Sequence, residues 1–325
     1  MGARRGRASV ETATRGGPAA GVQPEVEPAR TYFDGVEGVK MSGSEAETSE
    51  QPAKATEGSA DQRFGVELAR AVGGAIVFAL PMLMTAEMWA LGFYIERYRL
   101  ALLLLLSAPL LMTLNYFVGF RETFDWQEDL ADTGVAYAVG FAVSAILLLL
   151  FSVLEVGMTL GEVVGKVALQ AVSASIGAAL AVSQLGLREE APEREASYLG
   201  ELVTMVTGAL FLALNIAPTE EVVRIVYQFT PWHALALVLT SLLIMHAFVY
   251  SVEFRGQEPV PQGAPLWSIF VRFTVVGYAL ALLISLYALW TFGRVDGVAL
   301  DQTLMATVVL GFPAAVGAAA ARLIL

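Results

Sequence analysis

Apolar residues in this chain are gathered into long blocks rather than spread over short alternating or one-faced helical patterns. From Arg63 onward about eight such blocks stand comparison with the roughly twenty residues a helix needs to cross the hydrocarbon core of a bilayer. They run over about 69–93, 99–120, 134–154, 163–185, 198–218, 231–252, 267–292 and 303–324. The fourth holds Glu162 and Lys166 near its start and the fifth is interrupted by Asn215 and Pro218, so seven spans is the competing count. The connections are short: Arg121 to Gly134 is acidic, Gly186 to Ser197 sets Pro192 among charges, and Arg255 to Pro265 contains three prolines. The pattern predicts an all-α polytopic transmembrane helical bundle.

Two of the blocks carry the same acidic signature. Ala79 to Glu87 reads Ala-Leu-Pro-Met-Leu-Met-Thr-Ala-Glu and Ala213 to Glu221 reads Ala-Leu-Asn-Ile-Ala-Pro-Thr-Glu-Glu, an offset of 221 − 87 = 134. At that offset Gly74-Ala75 meets Gly208-Ala209, Thr85 meets Thr219, and Tyr116 to Arg121 meets Tyr250 to Arg255 without a gap. Small gaps then set Gly140-Phe-Ala142 on Gly277-Tyr-Ala279 and Ala174 to Ala178 on Ala314 to Ala318. Leu and Ala matches are cheap between membrane helices, but Thr, Glu, Tyr and Arg matches are not. The chain is therefore read as a 4+4 internal repeat, about 69–185 and about 198–324. An even number of spans per half gives both halves the same orientation, related by an axis along the membrane normal. Ser173, Gly177 and Ala181, and in register Pro313, Gly317 and Ala321, are mostly small residues four apart, which predicts close helix contact for the fourth and eighth spans.

Composition agrees with a membrane protein. The 325 residues are 56% hydrophobic and 16% charged, whereas about a quarter of a soluble domain is charged. The net charge of −11 comes largely from the tail and the loops, and no basic stripe points to nucleic acid. The absence of cysteine excludes disulfides, thiolate metal sites and cysteine nucleophiles. Residues 1–62, rich in Gly, Ala, Ser, Thr, Pro and Glu, have the composition of a disordered tail, and 63–325 form the transmembrane domain. No apolar region follows Arg4, Arg5 and Arg7, so no cleaved signal is expected, and Met41-Ser-Gly-Ser-Glu offers an alternative start to Met1. Near the span ends, eight Arg on the side of the amino terminus stand against five Lys and Arg opposite, placing both termini in the cytoplasm.

A carboxylate at the centre of a spanning helix costs roughly 2.5–3.5 kcal/mol on insertion scales, so it marks function by default. Glu87, with Met88 to Leu91 still beyond it, is the best single candidate, and Glu221 is its partner by the repeat. Thr85, Thr219 and Glu220 flank them. Asn115 and Tyr116, and in the repeat His246 and Tyr250, offer further polar side chains for the same cavity. A hard cation or a proton relay would use such oxygens. The plain alternative is that Pro218-Thr219-Glu220-Glu221 starts a helix near Thr219 to Gln228, with Thr219 as N-cap and the acids solvated in the first turn. Interhelical hydrogen bonding likewise accounts for the polar residues of the second span and its repeat. Arg272 reads as a snorkelling side chain, and two histidines, His233 and His246, are a weak haem or metal signal.

No zinc-protease, nucleophile-elbow or phosphate-loop signature occurs, so no enzyme and no cofactor is expected. The segments Leu80 to Trp89 and Leu212 to Glu221 resemble a bacterial family catalogued as integral membrane proteins of unknown function, over about residues 64–325. The resemblance implies the bacterial inner membrane and several spans, often counted as seven, and supplies no activity or site. Two functions remain open: movement of a small cation or proton by intramembrane carboxylates, and a non-transporting membrane scaffold or partner subunit.

Overall fold

The computed structural model describes residues 51–118, 126–185, 197–251 and 266–324, those bordering the undescribed stretches as backbone only. Residues 1–50, read as part of a tail, and the loop stretches 119–125, 186–196 and 252–265 lie outside the described residues. In order the elements are α1 (Gln51–Leu83), α2 (Ala86–Tyr94), α3 (Arg97–Val118), α4 (Trp126–Leu150), α5 (Leu160–Leu185), α6 (Tyr198–Ile216), α7 (Glu221–Gln228) and α8 (Pro231–Ser251). After them come α9 (Leu266–Ile269), a π-helical stretch Phe270–Val275, α10 (Val276–Thr291) and α11 (Leu300–Ile324), with no strand among the described residues. Among the described residues eight stretches are long and apolar enough to cross a membrane, from Phe64–Leu83 in α1 to Leu300–Arg322 in α11.

The first predicted span is corrected. Apolar residues run on from 69 to 93, but the spanning helix stops at Leu83 and a separate helix starts at Ala86. Pro81 supplies no amide hydrogen to the last turn of α1, which loosens it, and Thr85 adopts an extended backbone before α2. Glu87 therefore lies past the end of its span, in the first turn of a short helix.

Named contacts fix the directions of the helices. Gly74 of α1 lies against Gly177 of α5, and Gly140 of α4 against Ser175 of α5. Tyr137 of α4 bonds Ser107 of α3 at 2.6 Å. Each of these pairs is antiparallel. In the second half Gly208 of α6 lies against Gly317 of α11. α6 and α10 run parallel, joined at one end by Tyr198 bonding the Arg272 carbonyl at 2.9 Å and at the other by Arg294 bonding the Pro218 carbonyl. All of the short connections that the structure describes, around 84–96, 151–159, 217–230 and 292–299, consequently gather on one face of the bundle, called here the break face.

α5 and α11 are the most enclosed spans, and small residues explain why. A side-chain carbon on Gly74 would collide with the Gly177 carbonyl and the Ala181 methyl, and one on Gly208 with the Gly317 carbonyl and the Ala321 methyl. Backbones approach this closely only where side chains are missing, and such contact replaces the hydrophobic driving force that lipid removes. The predicted small-residue faces of the fourth and eighth spans are the faces used. Phe78 and Phe211 meet with ring centroids 4.3 Å apart, joining α1 to α6 between the halves.

Candidate functional site

The two acidic segments fold alike. In the first, the Thr85 hydroxyl donates to the Met82 carbonyl at 2.7 Å and the Thr85 amide to the same oxygen at 3.3 Å. In the second, the Thr219 hydroxyl donates to the Ile216 carbonyl at 2.7 Å and its amide to that oxygen at 3.0 Å. Each threonine thus closes the helix behind it. This corrects the expectation that Thr219 caps the helix ahead: Glu220 occupies the N-cap of α7, without a side-chain capping bond, and α7 begins at Glu221. The cause is local, since a Thr hydroxyl can reach a carbonyl three residues back as readily as an amide ahead. Replacing Thr85 or Thr219 by valine keeps the shape and removes one such bond. Each variant is expected to lose about 0.5–1.5 kcal/mol, read from unfolding in detergent.

Other carbonyls at the breaks are also occupied. The Trp89 indole donates to the Leu83 carbonyl at 2.8 Å, and the Gln170 amide of α5 donates to the Ala79 carbonyl at 2.6 Å. At the second break Arg294 donates to the Pro218 carbonyl and Asn215 to the Phe211 carbonyl at 2.6 Å. Free backbone oxygens are one of the means by which a broken membrane helix holds an ion, and these are engaged within the protein.

The acids are placed differently from one another. Glu220 pairs with Arg224 one turn on, 2.9 Å away and exposed. Glu221 is exposed, while Glu87 is half-buried. Neither Glu87 nor Glu221 makes a hydrogen bond or ion pair among the described residues. Their helices lean on different partners: α2 packs on α5, with Gly92 against Gly165, and α7 packs on α11.

The second layer of predicted site residues is far from these acids. Asn115 stands 115 − 97 = 18 residues along α3, about 27 Å of helix from the break face. It donates to the Thr133 hydroxyl at 3.4 Å, and Tyr116 beside it is exposed. His246 stands 246 − 231 = 15 residues along α8, about 22 Å down, bonded through Nδ1 to Thr274 at 3.2 Å and edge-on to Phe270. The Tyr250 side chain lies outside the described residues. The structure therefore brings each threonine to its own helix break and does not bring Asn115, Tyr116 and His246 to the glutamates. No group of three or more His, Cys, Asp or Glu able to hold a metal occurs among the described residues.

Three cations, Arg99, Lys166 and Arg322, are buried. The Arg99 guanidinium forks onto Asp296 at 2.9 and 3.0 Å, donates to the Trp290 carbonyl at 2.6 Å and stacks 4.9 Å from the Trp290 ring. It binds the start of α3 to the turn between α10 and α11. Lys166 places all three ammonium hydrogens, on Glu162 at 2.9 Å, the Val153 carbonyl at 3.3 Å and Met158 sulfur at 3.6 Å. Arg322 reaches Glu201 at 3.1 Å and lies over Phe273. Arg272, expected to snorkel, rests its guanidinium over the Tyr198 ring at 4.3 Å. Glu162 and Lys166 at i, i+4 were visible in the sequence as a pair, whereas Arg99 and Asp296 lie 296 − 99 = 197 residues apart with no local signal.

Eight membrane-length apolar helices packed through glycine contacts define a multi-span integral membrane protein. The family described as "Putative integral membrane protein (DUF2391)" matches residues 67–325, and the chain belongs to it. Neither the curated proteins nor the solved structures hold a match to the chain.

Proposed function

We propose that the protein is a non-transporting membrane scaffold or partner subunit, and that its acidic helix breaks are architecture. One observation carries the reading: five carbonyls at the two breaks, those of Ala79, Met82, Leu83, Ile216 and Pro218, are bonded from within by Gln170, Thr85, Trp89, Thr219 and Arg294. The two acids also stand on separate short helices that lean on different partners, α2 on α5 and α7 on α11. In this reading the chain sits in the bacterial inner membrane with both termini cytoplasmic and the break face outward, following the excess of Arg near the terminal face. The two halves are read as copies of one four-span unit. Equal contacts support this: Thr85 to Met82 repeats as Thr219 to Ile216, and Gly74 on Gly177 as Gly208 on Gly317.

A second reading rests on Glu87 alone. A half-buried carboxylate without a partner among the described residues is where a proton or small cation would bind, and movement of such an ion is the rival function. Proteoliposomes separate the two. The scaffold reading expects proton, sodium and potassium fluxes equal to protein-free vesicles, together with a stoichiometric membrane partner after gentle-detergent isolation. A flux above that baseline that Glu87→Gln abolishes would replace it with the transport reading.

A further inference from the structure

The offset of 134 also aligns the two short helices that follow the breaks, α2 with α7, and their inner faces agree. Met88 and its counterpart Val222 are both almost fully buried. Their outer faces differ. One row of exposed positions reads Ala86, Ala90, Tyr94 in α2 and Glu220, Arg224, Gln228 at the equivalent places, four residues apart so that each row runs along one side of its helix. Beside this row α2 exposes Trp89 and Phe93, and α7 exposes Glu221, Ile225 and Tyr227. Every exposed position of α2 is therefore uncharged, and its one charge, Glu87, is half-buried. Three of the five exposed positions of α7, by contrast, are Glu221, Arg224 and Gln228.

Depth adds a second observation. A side-chain carbon on Gly165 of α5 would collide with the Gly92 carbonyl of α2, so the two backbones touch there. Gly165 stands 165 − 160 = 5 residues, about 8 Å, inside the membrane-length stretch Leu160–Val182. α2 thus lies alongside a spanning helix and not above it. The exposed apolar stripe of α1, Val77, Pro81 and Met84, leads along the chain directly into α2, and Val164 beside Gly165 is exposed as well. Backbone near lipid has to find its hydrogen bonds within the protein, and this break does so. The Leu80 carbonyl accepts from the Met84 amide, Met82 from Thr85, and Leu83 from the Trp89 indole, whose ring is then free to face an apolar medium.

We propose that the outer face of α2 is a lipid-contact surface, set at the boundary between acyl chains and headgroups, while the same face of α7 meets water. A helix that is apolar on nearly every side is stable only with its whole surface out of water, and α5 covers just one side of α2. The bilayer covers the other, as the continuation of the face it already covers on α1. Trp89 and Tyr94 suit this level, where amphipathic aromatic rings gather. On α7 the exposed pair of Glu220 with Arg224 suits water. Equivalent helices in different media mean that the edge of the bilayer stands higher against the first half than against the second. Glu87 is then held at headgroup level and Glu221 in water. The inference holds for a scaffold and for an ion carrier alike.

The chain contains no cysteine, so a single introduced thiol reports alone. Phe93→Cys and Tyr227→Cys, equivalent at 227 − 93 = 134 and similarly exposed at 61% and 75%, are compared in the full chain in nanodiscs. Ala90→Cys and Arg224→Cys form a second equivalent pair. The thiolate is the reacting form and apolar surroundings suppress it, so a membrane-impermeant maleimide should label each α2 site at least about tenfold more slowly than its α7 counterpart. A bimane fluorophore on the same thiols should be quenched by lipids brominated on their acyl chains at Ala90→Cys and Phe93→Cys, and not at Arg224→Cys and Tyr227→Cys. Equal labelling rates within a pair overturn the proposal. So does slow labelling of the α2 sites without quenching, which would put a partner chain or a second copy on this face. Should Phe93→Cys not fold, the pair Ala90→Cys and Arg224→Cys, both small changes at exposed positions, decides alone.

Discussion

Alanine at Gly74, Gly177, Gly208 or Gly317 is expected to destabilise the bundle by about 1–3 kcal/mol each, against the usual direction for this substitution. In the middle of a helix glycine is worse than alanine by roughly 0.5–1 kcal/mol, so an unconstrained site should gain stability. Gly73, one residue before Gly74, has nothing within 4 Å of where its side-chain carbon would stand and serves as the internal control. At the four contact glycines the obstacle is a partner carbonyl, which cannot move aside without opening the helix pair. Thermal unfolding in one detergent should therefore rank Gly73→Ala at or above wild type and the other four below it. Similar losses for Gly74→Ala and Gly208→Ala support the equivalence of the halves. A harmless Gly208→Ala beside a damaging Gly74→Ala would break it.

Gly177 and Gly317 were legible in the sequence as contact positions because the information is local: small residues four apart on an apolar run describe a contact face without reference to the partner. The number of spans was legible for the same reason. The end of the first span was not, since Met88-Trp89-Ala90-Leu91 continues the apolar run across a break that Pro81 only hints at. Whether Thr219 serves the helix behind it or ahead of it depends on backbone angles that composition does not carry. The depth of Asn115 and His246 relative to the glutamates was legible in the sequence as well. Both lie more than four turns beyond the break along antiparallel spans, and rise per residue alone separates them.

The halves are also not interchangeable at the break face, where Arg99 makes a connection that the offset of 134 assigns to His233 in the second half, an exposed residue bonded to Thr230. The Arg99 side chain is only 9% exposed and Asp296 is 51% exposed, so the two partners are not symmetric in what they lose. Arg99→Ala frees a carboxylate that water already reaches, but it also removes the bond to the Trp290 carbonyl and the stack on its ring. It is expected to cost about 2–4 kcal/mol. Asp296→Ala leaves the buried guanidinium with Glu96 at 3.4 Å as its remaining carboxylate, so the loss should be smaller, about 1–2 kcal/mol. A double-mutant cycle should return a coupling of about 1–2 kcal/mol, because half-exposure of the carboxylate screens the pair. Arg99→Lys should recover less than half of the Arg99→Ala loss. A lysine is a point charge and cannot fork onto a carboxylate, hold a carbonyl and stack on an indole from one position. Additive single losses would show that the turn between α10 and α11 stays docked on α3 through packing. A positive coupling makes this ion pair the fastening between the first half and the second at the face where both acidic breaks emerge.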